Sequence, residues 1–545
     1  MFPKPATIFK STYAAITLNR VTVAFFLFSL VHCFAQGIIQ SLLYAIDSEF
    51  ENVVTKIVHT AEIPLKNMTY LEGSPYHWTL RMCDNVPHPG QARYPCTVIF
   101  QSGVGIDNSP DAIEYDTKES ISIVQDFTRG FDIVPAFDSN NTVIGVNVES
   151  SAAQSVFLNH QCAQILVYAQ EILQDSTRED ITFIFFQFWL LGVSIFAVSR
   201  GSTPHILTAL GSRLLIAAWS GYIVIYRTNN QAVTFQEMVS APGSPCGVDL
   251  FPTYFGTRYA YNIADFVLSI TALLLAALLS WNILKVFKAQ SFKRVGAPEH
   301  VIRIYKYFMA VQAVLQLEIF VLIAATSQWV AVLTGTAISL ISAHTPEYDA
   351  LIIATAVLVI PWKALGWYGV RLERKPLIIS FLGVSFFFVS GWAIMFYSIV
   401  YRWSFVQWPY LGCLTVASFI LILASMVLGT ICWRNFDKGL AEYLNAEEAL
   451  AGLNFTPEVF HHSDVEKSGE KTSHSFYEYE PDFPMPTFHS ADLLGGETIR
   501  KGSLTPAPMT HSRSGSAVSE MSGIMPVRGP PPSYDKPYSI RPIPF

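Results

Sequence analysis

Charged side chains are scarce in this chain. Asp, Glu, Lys and Arg make up 14% of its 545 residues and hydrophobic residues 51%. With a mean hydropathy of +0.35, this excludes a soluble globular protein, which would carry roughly a quarter of its residues charged. Catalytic motifs are missing as well. No H-E-x-x-H, no G-x-S-x-G and no phosphate-cradling Gly-Lys loop occurs, and no apolar run gathers His and Asp as membrane metal-hydrolases do. Zincin, α/β-hydrolase and P-loop chemistry are thereby excluded. No catalytic residue, cofactor-binding residue or metal ligand is expected, and the chain does not read as an enzyme. The last apolar run, 408–431, holds no lysine, so the retinal-binding mark of rhodopsins is missing; an E/DRY-like triplet and an NPxxY are missing too. Any likeness to G-protein-coupled receptors therefore stops at topology. No solenoid repeat is present. The net charge of −7 averages over dissimilar regions and calls for no nucleic-acid partner.

What the chain does have is a series of long apolar runs separated by basic loops. The most basic, KVFKAQSFKRVGAPEHVIRIYK at 285–306, sets Lys285, Lys288, Lys293, Arg294, Arg303 and Lys306 against the single acid Glu299. Basic loops stay on the cytoplasmic side, because the translocation machinery and the anionic inner leaflet disfavour their export. That fixes the side of every other loop. Apolar runs at about 181–199, 203–226, 262–284, 307–327, 350–370, 377–401 and 408–431 each approach the roughly 20 residues a helix needs to cross a bilayer. Seven crossings that start outside bring Arg200, Arg371, Arg374, Lys375, Arg434 and Lys438 to the cytoplasmic face together with the basic island. The outer loop 328–349 has Glu347 and Asp349 and no Lys or Arg. Counting its apolar stretch 330–343 as a further crossing would throw the 371–375 cluster outside, so it reads as an extension of the preceding helix or a cap over the bundle. Trp362, Trp367 and Tyr368 fall at one expected inner boundary, and Tyr401, Trp403, Trp408 and Tyr410 at an outer turn, as interfacial anchors do.

Residues 1–20 carry Lys4, Lys10 and Arg20 and no acid, and an apolar run follows at 21–46. Segment 1–46 is either a first membrane anchor or a signal peptide cut near Ala35. The run exceeds a signal h-region in length, whereas Gln36, Gly37 and Gln40 interrupt it just past a small-residue site. Either outcome places 47–180 outside. There, alternating runs at 77–83, 96–100, 121–127, 131–137 and 142–148 sit between Gly, Pro, Asn and Asp clusters and predict a small β-rich extracellular domain. Leu158, Cys162, Ile165, Leu166, Ala169, Ile172 and Leu173 recur at helical spacing and predict a helix at its end. Ser176 and Glu179 have capping-box spacing, which predicts that the next helix starts there. The expected fold is thus an α-helical polytopic membrane protein: a seven-helix bundle over 181–433, an anchor or signal peptide before it, the β-rich domain, and a mostly disordered cytoplasmic tail over 434–545, where polar and Pro-rich composition could bury no core.

With this topology Cys83, Cys96, Cys162 and Cys246 lie outside, Cys33 and Cys413 within spans, and Cys432 at the inner boundary. Four cysteines in an oxidising compartment imply two disulfides, for which three pairings exist. The favoured one joins Cys83 to Cys96 across a short loop and Cys162 to Cys246, which would staple the outer domain to the 227–261 loop; four unpaired buried thiols are the alternative. Sequons at Asn67 and Asn140 lie in the outer domain, and a third at Asn454 is cytoplasmic.

Charge inside a span is costly and marks function or register. Arg213 and Glu318 each sit ten or so residues into spans entered from the cytoplasm, hence both roughly 15 Å deep at 1.5 Å per residue. An Arg213–Glu318 ion pair is geometrically allowed, as a fixer of helix register or as a ligand or gating element. Lys363, just after Pro361, is a rival partner for Glu318, and Gln312 and Gln316 extend a polar track or hydrogen-bond between helices.

In the tail, Pro531-Pro532-Ser533-Tyr534 resembles the PPxY ligand of WW domains, whose aromatic groove grips a polyproline II turn while a second pocket takes the tyrosine. The resemblance implies a WW-bearing ubiquitin ligase of the Nedd4 class as partner, with Lys501 and Lys536 as acceptors. The arrangement of outer domain and seven spans, with the junction CWRNFDKGLAEYLNAEEALAGLNFTPEVF, is similar to a group of uncharacterised fungal multi-pass membrane proteins. That likeness imports no activity. The sequence reading is therefore a receptor-like or sensor protein of the plasma membrane, with the lipid bilayer, an extracellular ligand and the ligase as partners and no cofactor. Its rivals are a transporter or channel whose path would be lined by Arg213, Glu318, Lys363, Gln312 and Gln316, and a non-catalytic structural membrane protein.

Overall fold

The computed structural model describes residues 12–452 apart from 15, 18, 65, 87–95, 103–130, 151–154, 242–243, 296–297 and 342–344. The strand expected at 121–127, the Asn454 sequon and the motif of Pro531, Pro532 and Tyr534 lie outside the described residues.

Eight helices among the described residues are long and apolar enough to cross a membrane. The first, α1 (Arg20–Thr60), is capped by Asn19, whose side chain accepts the Val21 N–H. It passes Ala35 unbroken, and Gln36 and Gln40 point inward to Asp265 of a later helix. The two glutamines that looked like an interruption lie within the helix and face the bundle, and this helix is long and apolar enough to cross ahead of the expected seven. After the strands come α2 (His160–Ser199), α3 (Thr203–Ser240), α4 (Tyr254–Val295) and α5 (Glu299–Gly335). Residues 330–335 belong to the end of α5 and the short α6 (Ile338–Ile341) follows it, so among the described residues of this stretch no separate span stands. Then follow α7 (Thr345–Arg371), α8 (Lys375–Met395), the short α9 (Ile399–Gln407), α10 (Pro409–Arg434) and α11 (Leu440–Gly452). The span expected to run to 401 ends at Met395.

Burial is inverted relative to a protein in water. Val31, Phe34 and Ile38 on α1, Phe185 and Phe188 on α2, and Leu278 on α4 are each more than half exposed, whereas Gln36 and Glu318 are fully buried. Lipid is the solvent that makes such a surface stable. The bundle core runs through Val311, Leu315, Trp329, Trp362, Phe381 and Ile422. Trp362, expected at a membrane boundary, is buried and donates its indole N–H to Ser385 Oγ at 2.7 Å, and Tyr401 stacks on Trp329 at 4.2 Å. These two aromatics hold helices together rather than anchor them at the headgroups. At Gly366 an added Cβ would stand 2.8 Å from the Phe381 ring and 2.9 Å from Leu315, so only glycine lets α7 pack this closely.

Among the described residues six strands form two antiparallel three-stranded sheets. The first is β1 (Met68–Ser74), β2 (His77–Cys83) and β3 (Cys96–Gln101); the second is β4 (Phe131–Phe137), β5 (Val143–Ser150) and β6 (Ser155–Asn159). Pro135, which cannot donate to a ladder, sits in the edge strand β4. The sheets pack directly on the flanking spans. Their buried residues Leu80, Val146 and Leu158 share one core with Val54 and Ile57 of α1, Leu166 and Leu173 of α2, and Phe251. Both flanking spans thus continue past the apolar stretch to support the sheets, and α1 runs 14 residues beyond the expected boundary at 46.

The helix α2 is likewise unbroken where a new start was expected. At that point Ser176 Oγ donates to Ile172 O, while Glu179 and Ser176 both accept from Arg227. The Ser-x-x-Glu spacing meets tertiary partners here, not free N–H groups at a helix start. On the tail side, Glu373 lies in the turn between α7 and α8 with φ at 49°. Its carboxyl accepts the Asp437 N–H at 3.3 Å, and desolvation raises its pKa above the ordinary carboxylate value.

Candidate functional site

The junction between sheets and bundle is built on the projecting halves of α1 and α2. There the chain buries a cluster of charge. Arg258 of α4 lies 2.8 Å from Asp47 of α1, and Tyr254 donates its hydroxyl to the same carboxylate at 3.0 Å. Asp180 of α2 is buried close to the same carboxylate. Beside it Glu179 accepts from Arg227 through one oxygen and from the Trp408 indole N–H through the other, at 2.7 Å. Arg227 closes a π-helical turn, Ile223–Arg227, within α3; such a turn shifts the side-chain phase of a helix and is common where function requires it. Three acids, Asp47, Glu179 and Asp180, here meet two arginines, Arg227 and Arg258, so most of the buried charge is paired.

Next to this cluster lies a cavity of about 380 Å³. Its walls come from β1, the projecting half of α2, the α5–α6 turn and the α9–α10 turn. Glu171 on its wall accepts from Thr69 N–H at 3.2 Å and from Thr69 Oγ1 at 2.6 Å, and Arg178 stands 3.4 Å from Asp175. Trp403 and Trp408 supply aromatic surface. Both signs of charge, amides, indoles and aliphatic groups therefore converge on one space, the composition of a site for a small amphiphilic molecule. Trp408 joins the cavity wall directly to the Glu179–Arg227 pair.

The structure brings together some of the expected residues and separates others. Cys83 is bonded to Cys96 and Cys162 to Cys246. The first bridge joins directly opposed residues of β2 and β3; the second ties the start of α2 to the loop before α4. Cys33, Cys413 and Cys432 are free. Asn140 is exposed in the β4–β5 turn, whereas Asn67 is half-buried with its amide on Met82 Sδ at 3.0 Å.

Arg213 and Glu318 do not pair. Arg213 bonds to His32 Nδ1 at 3.0 Å and lies over the Phe28 ring at 4.9 Å, both on α1, while Glu318 accepts from Ser418 Oγ at 2.7 Å on α10. Their depths match but their azimuths do not. The α3–α5 seam is marked by Thr208 donating to Ala313 O at 3.0 Å, and each charged residue lies five positions further along, roughly 140° round its own helix at 100° per residue. Lys363, the proposed rival, donates to Gln316 at 2.6 Å instead of reaching Glu318. Gln312 is buried and its amide has no hydrogen-bond partner among the described residues.

Sequence reasoning missed the buried polar residues on the facing sides of α1 and α4: His32 and Asp47 of α1, Arg258 and Asp265 of α4. A usable signal was present, since Ser29, His32, Gln36, Gln40 and Asp47 recur at helical spacing on one face of α1.

These features define an integral membrane protein of the polytopic helical class with a small sheet-bearing cap. A UPF0658 Golgi apparatus membrane protein of Schizosaccharomyces pombe is similar to this chain, 23% identical over 206 residues that make up 35% of this chain and 54% of the relative. The chain thus spans about half the length of the curated relative it matches. No protein-family model matches the chain, and no solved structure does.

Proposed function

We propose that this is a receptor-like or sensor protein of the secretory-route membranes that seats a small amphiphilic ligand between its sheets and its bundle. The observation that carries this reading is the cavity of about 380 Å³ whose walls come from both parts of the molecule. An occupant would touch β1 and the α9–α10 turn at once, and Trp408 would relay its presence to Arg227 of α3. In this reading the sheets face the lumen or cell exterior, which suits the two disulfides and leaves Lys285, Arg371 and Lys375 on the cytosolic face. The yeast relative is a Golgi apparatus membrane protein, which favours the Golgi over the plasma membrane. The PPxY tail would recruit a WW-bearing ligase to control residence. The transporter reading is weaker because Lys363 is engaged by Gln316 and Glu318 by Ser418, so the polar residues that would line one path are held separately.

Native mass spectrometry of the purified full-length protein tests the proposal. Wild type should retain a co-purifying amphiphile, and Ser339→Trp, which fills the cavity from the α6 side, should lose it while keeping its elution profile. An identical adduct in the filled variant would refute the cavity as the seat.

A further inference from the structure

The charges on the cavity wall differ in how far they are already answered. Arg178 of α2 stands 3.4 Å from Asp175, and its guanidinium also lies against the end of α5, where a Cβ on Gly335 would come within 3.3 Å of it. Unpaired carbonyls at a helix C-terminus stabilise a cation, so Arg178 is engaged on two sides. Glu171, one turn before Asp175 on the same face of α2, has no such partner. One of its carboxyl oxygens takes the Thr69 N–H and the other the Thr69 hydroxyl. Among the described residues no Lys, Arg or His pairs with it, and the charge that acts on it is that of Asp175, of the same sign.

Holding β1 against α2 does not account for this wall. A carboxylate has about four lone-pair sites, of which Thr69 fills two, and burial without a cation pushes the Glu171 pKa up to about 8. The helix α5 ends in the same wall, at Thr334 and Gly335, and adds the negative pole of its dipole to the acid. Trp403 and Trp408 supply indole surface, the aromatic that holds a cation best, and Trp403 is braced by the Tyr70 ring at 4.9 Å. Acid, helix terminus and indoles all favour a positive group, while Val58, Val167, Ile338 and Leu340 offer apolar surface beside them.

We infer that the occupant of the cavity is a single-chain amphiphile with an ammonium head, which donates to Glu171 while its chain lies along Val58, Val167, Ile338 and Leu340. The assignment rests on the reading of the cavity as a ligand seat and names the class of ligand. An ammonium supplies the charge that Glu171 lacks, so the acid and the desolvated cation satisfy each other. An anionic head would meet Glu171 and the α5 terminus with only the already paired Arg178 in its favour. A zwitterionic phospholipid head would bring a phosphate to the same place at the same cost. A neutral head would leave Glu171 protonated and gain nothing from the acid.

Binding of dodecylamine, dodecanol and dodecanoate to the purified full-length protein in lipid nanodiscs, scored as adducts in native mass spectrometry and as a rise in melting temperature, tests the class. Wild type should hold dodecylamine roughly tenfold more tightly than dodecanol, the factor between a charge-assisted and a neutral hydrogen bond, and dodecanoate least. Glu171→Gln keeps an oxygen to accept from Thr69 and should bring dodecylamine down to the level of dodecanol. Thr334→Lys adds a base at an exposed position of the wall; it should exclude dodecylamine and favour dodecanoate, which keeps the test open if Glu171→Gln misfolds. Dodecanol or dodecanoate held by wild type as tightly as dodecylamine overturns the ammonium class and leaves the cavity standing as a seat. An amine preference that survives in both variants also overturns it, by placing the amine elsewhere. Binding of none of the three overturns the class, and together with an unchanged adduct in Ser339→Trp it refutes the seat as well.

Discussion

Arg258→Met is the sharpest probe of the buried ionic cluster. The guanidinium stands 2.8 Å from a carboxylate of Asp47, which is wholly buried. At that separation the gross attraction is about 6 kcal/mol for an effective dielectric near 20, and most of it is offset by desolvation of both ions. Removing one partner does not return that sum. It leaves Asp47 with Tyr254 and Asp180 but without its ion-pair partner, which destabilises by roughly 3–5 kcal/mol. The melting temperature of the full-length protein in detergent, followed by fluorescence-detected size exclusion, should fall on the order of 10 °C. Asp47→Asn in the same chain should then recover part of the loss, because the orphaned charge goes with it, giving a coupling of about 1–3 kcal/mol. If Arg258→Met melts within a degree of wild type, or if the two losses simply add, the arginine is not compensating a buried carboxylate and the charge accounting for the cluster is wrong.

The lack of an Arg213–Glu318 pair makes a contrasting prediction. Glu318→Gln keeps the oxygen that accepts from Ser418 and breaks no ion pair among the described residues, so its melting temperature should shift by less than about 1 kcal/mol allows; a loss like that of Arg258→Met would show an unrecognised charge partner. For the sheet-bearing face, Asn140→Gln should remove a glycan detectable as faster gel migration equal to that after glycosidase treatment, because the β4–β5 turn is exposed. Asn67→Gln should leave migration unchanged, since Thr69 of that sequon is buried against Glu171. A glycan on neither residue would argue that the sheets face the cytosol.

Much of the fold was legible along the chain. Spans appear as runs of about 20 apolar residues because lipid removes any need for periodicity, and strands at 77–83 and 131–137 fall where alternation and flanking turn residues place them. Helix limits were less legible. The boundary at 46 and the start at Ser176 rested on local polarity, whereas α1 and α2 run on because their projecting halves bury Val54, Ile57, Leu166 and Leu173 under the sheets. Two strands, β1 and β6, were missed because Met68–Ser74 and Ser155–Asn159 alternate too weakly to stand out from the loops around them.

By itself, the sequence settled that the chain is a multi-span membrane protein, since composition and run length respond to the solvent and not to the partner of any residue. It also singled out the four cysteines that pair. Which polar residues meet was decided only by tertiary structure. Depth along a helix follows from residue count, but facing depends on how each helix is rotated against its neighbours. That rotation turned Arg213 to His32, left Glu318 with Ser418, and gathered Gln36, Gln40 and Asp265 from segments more than two hundred residues apart in the chain.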